Sequence, residues 1–223
     1  MVTIKDQNYW TFDSLEVRNS TGLGLYVDGS PGADLHGFTL TNLYVHDVLI
    51  ENVEASFGWR GIEIDGKCCN DPEIRSTNII IHNAIVHDVQ SDGILMASKN
   101  NGLIEHSAVS NSGLMTELQN HTPTGLWTWD CDDCTVQFNE VYESHLPSVD
   151  GGAFDIDYFD HRNIVQYNYA HDNDNYCVAV FSGNAIDVTL DKIVRYIICS
   201  NDVRDGSQGA GAIVIFIWAG GDP

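Results

Sequence analysis

Apolar and polar residues alternate along this chain in short segments that return about every 30 residues, a period typical of solenoid proteins. Alternation with a period of two is typical of half-buried strands, and no stretch shows sustained helical periodicity. The pattern therefore predicts stacked coils of strands with little or no helix. The segments cover residues 24–28, 61–65, 93–97, 125–129, 153–157, 177–181 and 212–216.

A second repeat runs in step with the first. It opens on an asparagine and, in its clearest copies, closes on His-Asp. Its copies cover residues 42–47, 83–88, 168–172 and 201–205, with looser versions at 106–110 and 139–145. Two repeats in register predict one solenoid of about six to seven coils, each burying its apolar face against its neighbours.

The Asn-x-x-Val-His-Asp and Gly-Ile-x-Ile patterns of these repeats resemble those of the pectate-lyase-like superfamily, over roughly residues 1 to 217. The resemblance implies an all-β fold, a single right-handed parallel β-helix with three strands in each rung. It also implies a buried asparagine ladder, for which the matching positions are Asn42, Asn83, Asn139, Asn168 and Asn201. The superfamily contains lyases, hydrolases, epimerases and non-enzymatic adhesins, so the resemblance leaves the activity open.

The charge balance restricts the partners of the chain. Its 223 residues include 10 Lys and Arg against 32 Asp and Glu, for a formal net charge of −22. Such a surface is expected to repel nucleic acid, anionic membranes and, without bridging cations, acidic polysaccharides. No apolar run is long enough to span a membrane. We expect a secreted, extracellular protein whose partner is a polysaccharide.

Strand-like sequence reaches almost to both ends of the chain. Residues 2–4 alternate directly after Met1, and residues 213–218 form an apolar strand pattern close to the C-terminus. A solenoid needs polar caps on its terminal repeats, so we expect residues 1–223 to be one β-helix domain truncated at both ends. Open strand edges invite pairing, and we expect association through these ends.

The six cysteines carry two different expectations. Cys131 and Cys134 form a Cys-x-x-Cys motif without the second motif of a zinc site or the βαβ pattern of a thioredoxin-like site. We expect these two and Cys68–Cys69 to form loop disulfides in an oxidising compartment. Cys177 and Cys199 fall in strand patterns and are either core thiols or partners in a disulfide between rungs.

Alternation sorts the first repeat into an inner and an outer face. The inner residues are Leu25, Val27, Ile62, Ile64, Ile94, Met96, Leu126, Thr128, Phe154, Ile156, Val178, Val180, Ile213 and Ile215. The outer residues form one continuous panel, because stacked strands lie about 4.8 Å apart. They are Tyr26, Asp28, Glu63, Asp65, Leu95, Ala97, Trp127, Trp129, Asp155, Asp157, Ala179 and Phe181. In the fourth segment, the two tryptophans could equally face the core.

Two acid pairs of this panel have the spacing of a catalytic pair. Residues i and i+2 of one strand lie roughly 6.5–7 Å apart, and the paired acids of glycoside hydrolases lie roughly 5–9.5 Å apart. Asp155 with Asp157 and Glu63 with Asp65 both qualify. We prefer Asp155 and Asp157, because Trp127 on the adjacent rung would raise the pKa of one acid and stack against a sugar.

Other interpretations of these residues stay open. The acids could instead bind Ca²⁺, which prefers hard oxygen ligands, or they could simply be solvated. Trp129 and Tyr26 would extend the sugar-binding surface. His46, His87 and His171 each precede an aspartate, and the pairs could close turns by hydrogen bonding. His171 is also a candidate general base, since it follows the rung of the preferred acid pair.

We interpret the chain as a carbohydrate-active protein, a glycoside hydrolase that cleaves a neutral or weakly charged polysaccharide with paired carboxylates. The first alternative is a Ca²⁺-dependent polysaccharide lyase, for which Lys99, Arg60 and Arg162 near strand ends are the available bases. The second is a non-catalytic solenoid, an adhesin or another glycan-binding protein, whose panel holds the glycan without cleaving it.

Overall fold

The computed structural model describes residues 1–29, 35–49, 59–65, 76–114, 123–146, 150–182, 191–205 and 211–217. Within these ranges every regular element is a β-strand, numbered β1 to β22 in chain order. All of the strand pairings are parallel. The all-β parallel coil predicted from the alternation is confirmed.

The first repeat forms an eight-stranded sheet, here called sheet A. Most of these strands follow a small residue, and each one pairs with the equivalent strand of the neighbouring coil. Its strands are β1 (Val2–Lys5), β4 (Leu25–Asp28), β6 (Ile62–Asp65), β9 (Ile94–Ala97), β13 (Thr124–Trp129), β16 (Gly152–Ile156), β19 (Val178–Ser182) and β22 (Ile213–Ile217).

The second repeat forms a twelve-stranded sheet with two arms, sheet B, which the long strands β5 (Thr39–Val48) and β8 (Ile80–Val89) join at a corner. The first arm adds β2 (Thr11–Asp13), β11 (Leu103–Glu105), β14 (Thr135–Gln137), β17 (Ile164–Gln166) and β20 (Ile193–Arg195). The second arm adds β3 (Glu16–Ser20), β12 (Ala108–Ser110), β15 (Glu140–Tyr142), β18 (Tyr169–His171) and β21 (Ile198–Ser200). A short third sheet pairs β7 (Ser76–Thr77) with β10 (Lys99–Asn100).

The core is a continuous apolar stack between sheets A and B. Leu25, Ile62 and Ile94 are fully buried, as are their partners two residues along each strand. Leu126 and Thr128 are each 1% exposed, so the register of the fourth segment is the predicted one and both tryptophans face outward. Ile213 and Ile215 of β22, predicted to face inward, are exposed, since no described residue covers them.

The predicted asparagine ladder is correct at two positions and wrong at three. Asn139 and Asn168 are buried, and the backbone N–H of Asn139 donates to Asn168 Oδ1 at 2.8 Å. Asn42, Asn83 and Asn201 are exposed and have φ of 52°, 54° and 58°. They occupy left-handed corner positions, which asparagine tolerates better than most residues do. In the register of the coils, Asn83 aligns with His106 and Phe138, one position before Asn139.

A polar ladder still runs along the exposed corner. Asn42 Nδ2 donates to Asp13 Oδ1 at 2.7 Å, and Asn83 Nδ2 donates to Asn42 Oδ1 at 2.7 Å. The amides therefore satisfy one another in solvent. Replacing Asn83 would leave no buried polar group without a partner, whereas replacing Asn168 would.

Neither cysteine expectation is met as predicted. Cys177 and Cys199 do form a disulfide across the core, but it joins the start of β19 to β21 within one coil, whereas the predicted bond linked two rungs. Cys131 and Cys134 are buried free thiols, because the corner at Asp133 (φ 56°) turns both ends of the motif inward. Cys131 Sγ donates to the Met96 carbonyl at 3.3 Å. Residues 68 and 69 lie outside the described part of the chain.

No helix within the described ranges is long and apolar enough to cross a membrane. Part of the C-terminal strand pattern, from residue 218 onward, also lies outside these ranges. The truncation of the domain and its association through the ends stay predictions.

Candidate functional site

The outer face of sheet A carries the predicted panel in two rows. In the first row Glu63 pairs in register with Leu95, Leu95 with Trp127, and Trp127 with Asp155. In the second row Asp28 pairs with Asp65, and Trp129 pairs with Ala97. Asp157 continues this row directly after β16. The predicted sequence of acids, aromatic residues and acids is therefore present on one face.

Part of the panel lines an open pocket of about 210 Å³ at β13, β16 and β19. It brings together three of the predicted site residues, Trp127, Asp155 and Asp157. Its other lining residues are Thr124, Asp150, Tyr158 and Phe181. Asp150 was missed because it lies in a connection with no strand periodicity. The available signal was the Asp-Gly-Gly sequence before β16, where Asp150 and Gly151 have φ of 64° and 68°.

Asp155 has the environment of a protonated acid. Its side chain is almost fully buried, and Oδ1 has no hydrogen-bond partner. Burial raises the pKa of Asp155 well above its ordinary value, and the nearby carboxyl groups of Asp157 and Asp150 raise it further. The protonated form of Asp155 is therefore favoured more strongly than that of an ordinary aspartate.

Asp157 is more exposed, and its position is fixed through the backbone. Its Oδ1 accepts a hydrogen bond of 2.7 Å from the Tyr158 backbone N–H. The Lys192 ammonium donates to the carbonyl oxygens of Asp157 at 2.6 Å and Phe181 at 2.7 Å, so it ties the end of β16 to β19. Two carboxyl groups with different surroundings thus share one pocket.

Trp127 is held between the pocket and an arginine. The Arg60 guanidinium carbon lies 5.5 Å from the centroid of the Trp127 ring. Arg60 bonds to Glu63 Oε2 at 2.9 Å and to Asp92 Oδ2 at 2.5 Å. Burial alone would lower the pKa of Arg60, and these two carboxyl groups together raise it above its ordinary value. Trp127 Nε1 is buried and has no hydrogen-bond partner.

Glu63, Asp65, Tyr26 and Trp129 do not line the pocket. Glu63 lies on β6, three strands from Asp155, and its carboxyl group binds Arg60. Burial raises the pKa of Glu63, while Arg60 opposes that rise. Burial and the charges of Asp65, Asp28 and Glu63 raise the pKa of Tyr26 on β4. A catalytic role for the Glu63 and Asp65 pair stays a prediction without support from the pocket.

His171 lies on sheet B. Its predicted role as a base required it to lie near Asp155 and Asp157 on sheet A, and that prediction is wrong. It follows Asp155 in the chain, but the coil has turned onto another face by that point. Its Nδ1 lies 2.8 Å from Asp172 Oδ2 and its Nε2 lies 3.2 Å from Glu140 Oε1, both within hydrogen-bonding distance. The equivalent bonds of His46 to Asp47 and His87 to Asp88 confirm the predicted His-Asp turn pairs.

The pocket acids are also the residues that would hold Ca²⁺. Three carboxyl groups supply the hard oxygen atoms that this ion prefers, and a cation would relieve their mutual repulsion. However, of the described residues, only Cys177, Cys199 and Asp202 place three donor atoms of His, Cys, Asp or Glu within 4.8 Å of one another. The two cysteines are joined in a disulfide. The calcium site stays a prediction.

The bases considered for a lyase are all placed away from the pocket acids. Lys99 is fully buried, and burial lowers its pKa to about 8. Arg162 lies at an exposed corner and binds Asp133 with two hydrogen bonds of 2.8 Å. None of the described residues that line the pocket is a lysine or an arginine.

Comparisons with known proteins agree with this geometry. A family described as "right handed beta helix region" matches residues 1–208. A lacto-N-biosidase of Bifidobacterium longum subsp. longum is 30% identical over 139 residues, which cover 57% of this chain and 8% of that protein.

Two crystal structures of the GH136 lacto-N-biosidase from Eubacterium ramulus share the fold. The native protein has a TM-score of 0.67 at 16% identity, over 98% of this chain and 45% of that one. The selenomethionine derivative has a TM-score of 0.61 at 18% identity, over 98% of this chain and 50% of that one. The chain therefore spans half the length or less of each of these proteins.

Proposed function

We propose that this chain, which belongs to the right-handed β-helix family, carries the active site of a glycoside hydrolase. The pocket at Asp155, Asp157 and Trp127 would be its catalytic centre. The similarity to a lacto-N-biosidase supports this reaction class, and the chemistry of the pocket supports it independently. The substrate would be a neutral glycan, because the pocket presents three aspartates and the chain has a net charge of −22.

Asp155 would act as the general acid. Cleavage of a glycosidic bond needs a carboxylic acid that is still protonated near neutral pH and can protonate the leaving oxygen. The burial of Asp155 within the pocket wall supplies that state, and it is the observation that carries the proposal. The charges of Asp157 and Asp150 add to the proton affinity of Asp155.

Asp157 would act on the opposite side of the bond, as the base that activates water or as the nucleophile. Its carboxyl group is more exposed than that of Asp155, and the bonds from Lys192 hold its backbone in place. Trp127 would offer its free ring face to the sugar, whose apolar C–H face packs against aromatic rings. The disulfide between Cys177 and Cys199 supports an extracellular location, where such bonds persist.

The decisive experiment is a product assay on the natural polypeptide that contains these residues. The probes are para-nitrophenyl lacto-N-bioside, a set of para-nitrophenyl monosaccharides and neutral polysaccharides, each with and without EDTA. We expect release of nitrophenol or reducing ends that EDTA leaves unchanged and Asp157→Asn abolishes. An unsaturated product that absorbs in the ultraviolet would instead show a lyase, and binding without a product would show an adhesin.

The same assay also tests the assignment of the acid. Asp150→Asn should retain more activity than Asp155→Asn, because Asp150 is proposed to act only through its charge. The reverse order would move the role of the acid to Asp150 and leave the hydrolase proposal standing.

A further inference from the structure

We propose that Arg60 is a positioning residue that fixes the sugar-binding ring of Trp127. This inference rests on the proposed function. Arg60 precedes β6 and reaches across β9 to β13, where its guanidinium carbon lies 5.5 Å from the centroid of the Trp127 ring. A cation at this distance from the face of a tryptophan is attracted by the negative ring face.

The guanidinium is held by two carboxylates that lie outside the pocket. Glu63 accepts from Nη1 at 2.9 Å and Asp92 accepts from Nε at 2.5 Å, so the planar group cannot rotate away from the ring. The side chains of Arg60, Glu63 and Asp92 are only 16%, 12% and 3% exposed. Because water screens these charges little, their orientation is more rigid than that of a surface pair.

Asp92 joins this group to a second wall of the pocket. Its other oxygen, Oδ1, accepts from the backbone N–H of Thr124 at 2.8 Å. Thr124 is the first residue of β13, it lines the pocket, and its hydroxyl lies 3.1 Å from the Tyr176 hydroxyl. Arg60 and Asp92 therefore fix both the ring of Trp127 and the start of the strand that carries it.

No hydrogen bond with a described residue sets the orientation of Trp127. Its Nε1 has no hydrogen-bond partner, so the indole is not anchored through its polar atom. Since Arg60 covers one face of the ring, a sugar must stack on the other. Glu63, a candidate acid in the sequence, thereby receives a different role as an anchor for Arg60.

The test compares Arg60→Met with Arg162→Met on the natural polypeptide, with para-nitrophenyl lacto-N-bioside as the probe. Both variants remove an arginine paired with carboxylates, but Arg162 lies at an exposed corner away from the pocket. A ring that binds the ground and transition states alike affects KM alone. We expect Arg60→Met to raise KM by up to about tenfold with kcat changed less than about threefold, since ordering the released ring again on binding costs at most the free energy of the lost cation–π contact.

Arg60→Lys should fall between the parent and Arg60→Met, because lysine keeps the charge but loses the planar fork. The second readout is the fluorescence and near-UV circular dichroism of Trp127, obtained by subtracting the spectra of Trp127→Phe variants. The Trp127 signal should change in Arg60→Met and stay unchanged in Arg162→Met. If Arg60→Met does not fold, Glu63→Gln, which weakens the anchor alone, should show a smaller change of the same sign.

An unchanged KM together with an unchanged Trp127 signal in folded Arg60→Met would overturn the inference. The failure of the proposed function is distinguishable from that result. If Asp155→Asn and Asp157→Asn both keep full activity, the catalytic proposal falls, whereas the spectroscopic change at Trp127 does not depend on turnover.

Discussion

Two aromatic regions at the surface of this coil are arranged in different ways. At the corner of sheet B the rings of His106, Phe138, Tyr167 and Tyr196 stack in order, with centroids 5.1, 5.2 and 4.9 Å apart. Each ring covers the face of its neighbour, even though Phe138 and Tyr167 are both 46% exposed. On sheet A, Trp127 stands in register between Leu95 and Asp155 and has no aromatic neighbour in its row.

The polar groups of the two regions differ in the same way. Beside the aromatic corner, Gln137 donates to Glu105 at 2.9 Å, Gln166 donates to Gln137 at 2.9 Å and Arg195 donates to Gln166 at 2.8 Å. On sheet A, Asp155 Oδ1 and Trp127 Nε1 have no hydrogen-bond partner. Buried polar groups usually find partners, so exceptions mark a site more clearly than exposed rings do.

The strongest test of this contrast replaces one titratable side chain on each sheet. Asp155→Asn should lower kcat on a cleavable glycan by about 10²–10⁴-fold, the usual loss when a positioned acid is removed. His171→Gln should leave kcat within about twofold of the parent, because His171 is bonded to Glu140 and Asp172 on sheet B. Steady-state kinetics decide between them. A large loss in His171→Gln would show that the two sheets do not differ in this way.

A second test uses a buried acid, Asp160, which binds the inner residue Thr128 of β13. Asp160 accepts from Thr128 Oγ1 and from the Cys131 backbone N–H, both at 2.6 Å, and burial raises its pKa to about 8. The folded state therefore binds the proton more tightly than the unfolded state between about pH 4 and pH 8. The free energy of unfolding should fall across that window, by about 1.4 kcal/mol per unit where only the unfolded state is ionised.

Asp160→Asn should flatten this slope, because asparagine resembles the protonated acid. Asp155 also has a raised pKa and makes the free energy of unfolding fall with pH in the same direction. The contribution of Asp160 is therefore the difference in slope between the parent and Asp160→Asn, measured by urea denaturation at several pH values. The control is Asp133→Asn, at an exposed site where Arg162 lowers the pKa of the acid. An Asp160→Asn variant with the slope of the parent would mean that Asp160 is ionised in the folded protein.

A third test separates the inside of sheet B from its outer corner. Asn168→Ala should lower the free energy of unfolding by about 1–3 kcal/mol, since the Asn139 backbone N–H and the Val136 carbonyl would lose buried partners. Asn83→Ala should cost less than about 0.5 kcal/mol, because its amide bonds lie in solvent. Equal costs at the two positions would mean that the corner ladder is also buried.

The smallest effect concerns the ion pairs of His171. Burial alone would lower the pKa of His171, and the bonds to Asp172 and Glu140 raise it above its ordinary value. The stabilisation is therefore fully present below about pH 6.5 and is lost as the pH rises through the folded pKa. We expect less than about 1 kcal/mol, because all three groups are partly exposed. Thermal melts of the parent and His171→Gln should converge above this range.

Much of the fold could be predicted from the sequence, because a period of two assigns every residue of a strand to one face. This is why the register of Leu126 and Thr128 was correct and why Asp155 and Trp127 were placed side by side. The asparagine ladder prediction is wrong at Asn83, because residue type alone does not fix the position of a residue within the corner. One residue separates an exposed corner from a buried ladder position.

The rest of the site depends on contacts that no local pattern reveals. Asp150 reaches the pocket from a connection, and Arg60 reaches Trp127 from two strands away. The inward turn of Cys131 and Cys134 depends on the left-handed Asp133 between them. Such contacts depend on how the coils stack in three dimensions. The spacing of residues in the sequence predicts positions within the strands, but not in the corners and connections between them.

The disulfide between Cys177 and Cys199 has a consequence for the order in which the coils come apart. Stacked coils can fray one after another, since each contacts only its neighbours. The bond joins sheet A to sheet B within one coil and closes a loop with a sequence separation of 22 residues. By lowering the entropy of the unfolded chain, such a loop adds roughly 3 kcal/mol to the free energy of unfolding. That coil carries Phe181, a wall of the pocket. Local unfolding that starts beyond β21 should therefore stop at the disulfide, before it reaches Asp155. After reduction of the disulfide, the coil of β19 to β21 should be the first to become accessible to proteases.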